Sequence, residues 1–317
     1  MKLKDTFGRT IDYIRLSVTD KCNLRCIYCV PGGVSRCSLR EHGRPEFEKI
    51  ISFLRVARKY GLKKVRITGG EPLLRKDIVR LVREIKITGV EDLSLTTNGQ
   101  LLSGMAMELK KAGLDRVNIS LDSLRSGRYR EITGGGSLAS ALQAITEAER
   151  VFWPAPVKIN MVSIKGVNGD EIPDFARMTL ERSFHVRFIE LMPVGGCNFD
   201  SLRIISGEAK KAVSSVGRLL PLGRTGSSDN YRLSDAKGVI GFISPMSEHF
   251  CDSCNRLRIT SAGKIRPCLF SDHEEDLAPA STETEMEQLL LNSVLSKAKG
   301  SLLKKAIQSG TMQQIGG

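Results

Sequence analysis

The chain has 317 residues, 41% hydrophobic and 26% charged, ordinary values for a globular protein long enough to bury a sizeable core. No apolar run approaches the roughly 18 residues that cross a bilayer, which argues against a membrane span or partner. The 48 Lys and Arg against 35 Asp and Glu leave +13, which points to an acidic partner: nucleic acid is the usual first guess, but 5% aromatic residues and no dense Lys/Arg tail argue against it, and a small polyphosphate fits as well, the alternative being a basic surface that only aids solubility.

The opening MKLKDTFGRTIDYIRL mixes charges where a secretory signal needs an unbroken apolar segment, so a cytoplasmic location is expected. Thiols stay reduced there, and clustered cysteines then serve metal binding or redox chemistry more often than disulfides. Six stretches read as strands from their β-branched content and alternation: YIRLSVT (13–19), KVRITGG (64–70), DLSLTTNG (92–99), RVNISLD (116–122), VKINMVSI (157–164) and HVRFIELM (185–192). Between them, EFEKIISFLRVARKYG and DIVRLVREIKI repeat apolar residues three and four positions apart, with Gly61 as a helix cap. Strand, helix, strand at this spacing predicts βαβ units, hence an α/β fold with a partial, open (βα)6 TIM-like barrel. Chemistry in such barrels collects at the C-terminal strand ends.

Past residue 195 the alternation loosens. VGGCN reads as a linker-like turn, ISGEAKKAVSSVG as a helix, RTGSSD as a polar loop and the last stretch as helical. The expected division is a barrel over 1–195 and a C-terminal region over 196–317.

KCNLRCIYC (21–29) places Cys22, Cys26 and Cys29 directly after the first strand. Three close thiolates suit a soft metal centre with one coordination position left free of protein. Zinc would need a fourth ligand, Cys37 being nearest, and an odd cluster cannot pair within itself as disulfides. TGGEP (68–72) is either a turn or a point where backbone approaches a ligand because no side chain intrudes. A second triplet, Cys251, Cys254 and Cys268, lies in FCDSCNRLRITSAGKIRPCLF (250–270).

The C-x3-C-x-Y-C spacing after strand one, with TGGEP, resembles the radical S-adenosylmethionine superfamily. The resemblance implies a 4Fe-4S cluster on Cys22, Cys26 and Cys29 whose open iron chelates S-adenosylmethionine. It also implies cofactor contacts at Tyr28, Gly70, Ser120 and Met192, although packing would explain each of these singly. With KVRITGGEP, LTTNG, VKIN, GVN, VRFIELMPVG and the terminal GG, the second triplet resembles the GTP 3′,8-cyclases of molybdenum cofactor biosynthesis. That likeness implies that the C-terminal region covers the open side of the barrel and holds, on Cys251, Cys254 and Cys268, a second 4Fe-4S cluster that meets the guanine of GTP. The implied lyase reaction starts when a 5′-deoxyadenosyl radical removes ribose H3′, and the C3′ radical then attacks guanine C8. Implied partners are GTP, an unidentified electron donor, cyclic pyranopterin monophosphate synthase by product hand-over, and a second copy in a homodimer. No protein acid or base is assigned.

The basic residues agree with a triphosphate. Arg15, Lys64, Arg66, Lys158 and Arg187 sit in predicted strands, and Arg256 and Arg258 share a face if their stretch is extended. Arginine forks match phosphate oxygens, and charges converging inside a barrel are costly without an anion. Lys64, near its strand's beginning, is equally compatible with solvent. Thr96 resembles a nucleotide contact of the family, but its hydroxyl could instead cap the TTNG turn. Val30, and ERVFWPAPVKIN before strand five, depart from the family pattern, which bears on the shape of the cofactor loop and of the preceding helix. Cys37 and Cys197 match no ligand position. The Gly316-Gly317 tail resembles that of the cyclases, which is implied to reach the active site; otherwise it is a frayed end. Two other readings share the cysteines: a radical enzyme modifying a peptide, and a non-enzymatic metal protein binding RNA.

Overall fold

The computed structural model describes residues 2–29, 47–193, 200–299 and 312–315; Val30, Cys37, Cys197, Gly316 and Gly317 lie outside them. Six strands run parallel and in chain order: β1 Tyr13–Ser17, β2 Lys64–Thr68, β3 Asp92–Thr97, β4 Arg116–Ser120, β5 Lys158–Ser163 and β6 His185–Glu190. Alternation decides which face each residue takes. Ile14 and Leu16, Val65 and Ile67, and Val117 and Ile119 are buried, and their polar neighbours take the opposite face.

The buried face packs on helices α1 Phe47–Lys59, α2 Ile78–Ile87, α3 Ala106–Lys111, α4 Ser126–Thr133, α5 Leu138–Phe152 and α6 Ile172–Glu181. Apolar stripes at helical spacing, such as Phe53, Leu54 and Ala57 in α1 or Ala141, Ala144 and Ala148 in α5, join the strand residues in one continuous core. The unusual approach to strand five leaves this pattern regular: Val151 and Phe152 are buried and β5 starts at Lys158.

The C-terminal region adds α7 Ser206–Ser214, β7 Leu219–Thr225, β8 Ser228–Leu233, β9 Val239–Ile243, β10 Arg256–Ile259, β11 Lys264–Arg266, β12 Glu275–Asp276, α8 Glu283–Leu295 and α9 Met312–Ile315. β9 joins β6 and β10 joins β1, both parallel, so the six barrel strands are extended at both edges; antiparallel β7–β8 and β11–β12 lie outermost. Sheet and core therefore run on past residue 195. RTGSSD is not a loop but the tip of the β7–β8 hairpin, with Gly226 and Ser227 as a two-residue turn. Its composition misleads because β7 is exposed along nearly its whole length, and an exposed edge strand is as polar as a loop.

Candidate active site between two cysteine triplets

Both triplets open on one cavity of about 1230 Å³, larger than the roughly 300–1,000 Å³ of most single-ligand pockets. Its wall is the inner face of the sheet. Tyr13 and Arg15 of β1, Lys64 and Arg66 of β2, Arg116 of β4, Lys158 and Asn160 of β5, His185 and Arg187 of β6, and Arg256 and Arg258 of β10 all line it. Register sets these groups side by side: Arg15 is the Cα partner of both Arg258 and Arg66, and Lys158 of His185.

The two triplets sit at opposite ends of this wall. Cys22, Cys26 and Cys29 follow the C-terminal end of β1. Cys251 and Cys254, in and after a short 3-10 turn, precede the N-terminal end of the parallel β10, and β11 returns to bring in Cys268. At about 3.3 Å per residue the strands separate them by on the order of 15 Å.

The first triplet is held by backbone. Arg25 N and Ile27 N donate to Thr133 O and Ile132 O at the end of α4, at 2.9 and 3.0 Å. Gly70 N and Glu71 N donate to Thr19 O and Lys21 O, both at 2.8 Å. A Cβ on Gly70 would come within 2.2 Å of Lys21 O, and one on Gly69 within 2.4 Å of Thr19 O. The glycines of TGGEP thus have a use beyond ligand approach: they let this turn dock on the cysteine loop. Tyr28 donates its hydroxyl to Asp122 at 2.6 Å, while Glu71 accepts from Thr97 Oγ1 and Asn98 N, each at 2.8 Å. Burial pushes Asp122 up to about 6 and Glu71 up to about 7. Burial likewise raises Cys22 to about 11, against the pull of the Leu24 amide.

The second triplet has cationic surroundings. Burial alone would raise the Cys254 thiol, but Arg256 and Lys297 outweigh it and bring it to about 6. Along the wall, burial and then Arg258 draw Arg15 well below the ordinary guanidinium range, and burial and then Arg187 lower Lys158 to about 6. Burial, then Arg187 and Lys158, keep His185 neutral, down to about 3. The wall repels itself, and a polyanion would relieve it. Buried polar atoms without a protein partner among the described residues include Tyr13 OH, Thr96 Oγ1, Arg116 Nη1, Asn160 Oδ1 and Arg187 Nε. The Thr96 hydroxyl therefore caps no turn; Thr97 does so, accepting from Gly99 N at 3.1 Å.

Among the described residues no three His, Cys, Asp or Glu side chains close on one point as a single ion requires. A 4Fe-4S cluster does not need that, because each thiolate takes a different iron, and two sets of three soft donors fit two such clusters. Ser120, Gly70 and Met192 line the cavity near its first end. Met192 packs with Leu269, Phe270, Met312 and Ile315. Arg258 Nη1 reaches Ile315 O at 3.3 Å, so the residue before Gly316 is anchored at the wall.

Arg116, Asp92, Asn160 and His185 were not singled out from sequence, yet they line the cavity. Parity would have found most of them: once Val117 and Ile119 are assigned to the core, Arg116 and Ser120 must face inward, as must Asn160 with Lys158 and His185 with Arg187.

Comparison with known proteins follows the same lines. Residues 16–179 match the Radical SAM superfamily and 184–304 match Molybdenum Cofactor Synthesis C. The fold resembles that of Streptococcus suis SuiB bound to S-adenosylmethionine, with TM-score 0.69 and 16% identity over 94% of this chain and 69% of that one. It also resembles methylornithine synthase (PylB), with TM-score 0.51 and 18% identity over 66% of this chain and 61% of that one. Fold and sequence define a radical SAM protein with a partial TIM-like barrel. GTP 3′,8-cyclases of Alkaliphilus metalliredigens and Moorella thermoacetica are each 45% identical to it over 99% of this chain and 100% of theirs. The chain belongs to the GTP 3′,8-cyclase family.

Proposed function

We propose that this chain converts GTP to (8S)-3′,8-cyclo-7,8-dihydroguanosine 5′-triphosphate, the first step of molybdenum cofactor biosynthesis. The observation that carries this reading is the single cavity with a thiol triplet at each end and a cationic wall between them. The first cluster and S-adenosylmethionine, when bound, supply hydrogen-abstracting one-electron chemistry. Cys22, Cys26 and Cys29 would hold that cluster, with Tyr28, Gly70, Ser120 and Met192 around the cofactor. The cofactor's sulfonium suits this end, where the Asp122 and Glu71 carboxyls are buried beside the cysteines.

At the other end Cys251, Cys254 and Cys268 would hold the second cluster beside the guanine. Arg15, Lys64, Arg66, Lys158, Arg187, Arg256 and Arg258 would grip the triphosphate, and Thr96 would offer its unpartnered hydroxyl. A nucleotide held across the wall presents its ribose toward the first end, which is the orientation that removal of H3′ requires. The tail, anchored through Ile315, would extend Gly316 and Gly317 into the same space, where backbone without Cβ atoms fits beside a bound cofactor. A peptide would offer no comparable polyanion to this wall. The same reading includes a cytoplasmic location, an external one-electron donor, hand-over of the product to cyclic pyranopterin monophosphate synthase, and a homodimer.

The test is anaerobic incubation of reconstituted protein with GTP, S-adenosylmethionine and a reductant, with products identified by mass spectrometry. The cyclised nucleotide should form together with methionine and 5′-deoxyadenosine. Consumption of ATP or a peptide in place of GTP would overturn the assignment.

A further inference from the structure

Lys297 is 4% exposed, and a buried ammonium must find acceptors. It lies just beyond α8, and its Nζ donates to Arg256 O and Pro267 O, both at 2.8 Å. These carbonyls belong to different limbs of the second triplet: Arg256 is two residues after Cys254, and Pro267 immediately precedes Cys268. β10 and β11 pair from Arg258 with Arg266 onward, so Lys297 closes the hairpin at its open end, where the backbone ladder has stopped. The next residue extends the tie to the remaining cysteine: Arg9 donates to Ala298 O at 3.2 Å and to Cys251 O at 2.8 Å, and is itself held by Asp5.

We infer that Lys297 is a positioning residue for the second cysteine triplet, its ammonium fixing the two backbone limbs that carry Cys254 and Cys268 so that the thiols are presented as one ligand set. An ammonium suits this task because its compact charge donates to two carbonyls at a wide angle from one atom. An apolar side chain of similar length would fill the space and leave both limbs untied. The inference rests on the reading of this triplet as the second cluster's ligands, and it is tested without reference to GTP.

The experiment uses full-length protein carrying Cys22→Ala, Cys26→Ala and Cys29→Ala, so that reconstituted iron and sulfide report the second site alone. Adding Lys297→Met should remove most of that iron, and Lys297→Arg should restore much of it. In the parent background Lys297→Met should lower iron by roughly half, since one of two like clusters is lost. In metal-free protein, backbone hydrogen exchange read by mass spectrometry should speed up several-fold in the peptides carrying Cys254 and Cys268 and stay unchanged in the one carrying Cys22. Full second-site iron and unchanged hydrogen exchange in Lys297→Met would overturn the inference. Equal loss at both triplets would overturn it too, because it would make Lys297 a general packing residue. Failure to act on GTP would move none of these readouts.

Discussion

The two cysteine triplets have the same number of thiols and nearly opposite surroundings. At the first, the charged side chains that act most on the thiols are carboxyls, Glu71 on Cys22 and Asp122 on Cys26, while the loop itself also carries Lys21 and Arg25; Tyr28 bonds Asp122, and Glu71 shares Asn98 with the loop. The second lies among Arg9, Arg256, Arg258 and Lys297, which outnumber Asp252 within the triplet and the Asp5 that pairs with Arg9. An iron-sulfur ligand set alone does not call for this difference, since both sets are anionic thiolates. On the proposed reading, what differs is the ligand each meets, a sulfonium at one end and a polyphosphate nucleotide at the other. The sheet between them makes the separation possible, because parallel β1 and β10 carry one triplet past a C-terminal end and the other before an N-terminal end.

The largest expected effects come from removing one triplet at a time. Alanine at Cys22, Cys26 or Cys29 should abolish reductive cleavage of S-adenosylmethionine, measured as 5′-deoxyadenosine. Alanine at Cys251, Cys254 or Cys268 should leave that cleavage in place and lose GTP cyclisation; the reverse pattern would exchange the two roles. Next comes the tail. Deleting Gly316 and Gly317 should leave iron content full and reduce cyclisation to a small residue, whereas full activity would return the tail to a frayed end.

Smaller effects probe the wall. Arg256→Ala or Arg258→Ala should weaken GTP binding by about 1.5–3 kcal/mol for each charged hydrogen bond lost, with S-adenosylmethionine affinity nearly constant. Equal GTP affinities in calorimetry would contradict a phosphate role. Lys158 gives the finest test. Its amine is lowered to about 6 by burial and then by Arg187, so above that pH the free protein holds it mostly neutral. A bound polyanion favours the charged form and raises its pKa. Binding should therefore take up a proton at pH 7.5, and GTP affinity should fall as pH rises above about 6. Calorimetry in buffers of different ionisation heat measures the uptake, which Lys158→Met should reduce; no uptake in the parent would refute this account of Lys158.

Much of this was legible in the sequence. The six strands, the cysteine spacings and the inward cations all follow from short-range pattern, because alternation fixes which face Arg15, Arg66 or Arg187 takes. Arg116 and His185 obey the same rule and were missed because each is the first residue of its strand, where solvent seems as good a destination as the interior. What local pattern does not contain is the pairing of β9 with β6 and of β10 with β1. Those contacts join residues far apart in the chain, and only they place Cys254 beside the wall and at the opposite end from Cys22. The docking of Gly70 on Lys21 is hidden for the same reason: a glycine pair looks like a turn until its neighbour is known.

The division between the triplets can be measured directly. With Cys22, Cys26 and Cys29 replaced by alanine, only the second cluster remains, and its reduced form is observed by electron paramagnetic resonance while ligands are added separately. The account predicts that GTP changes the spectrum and S-adenosylmethionine does not. A spectrum that responds to S-adenosylmethionine and is indifferent to GTP would contradict it.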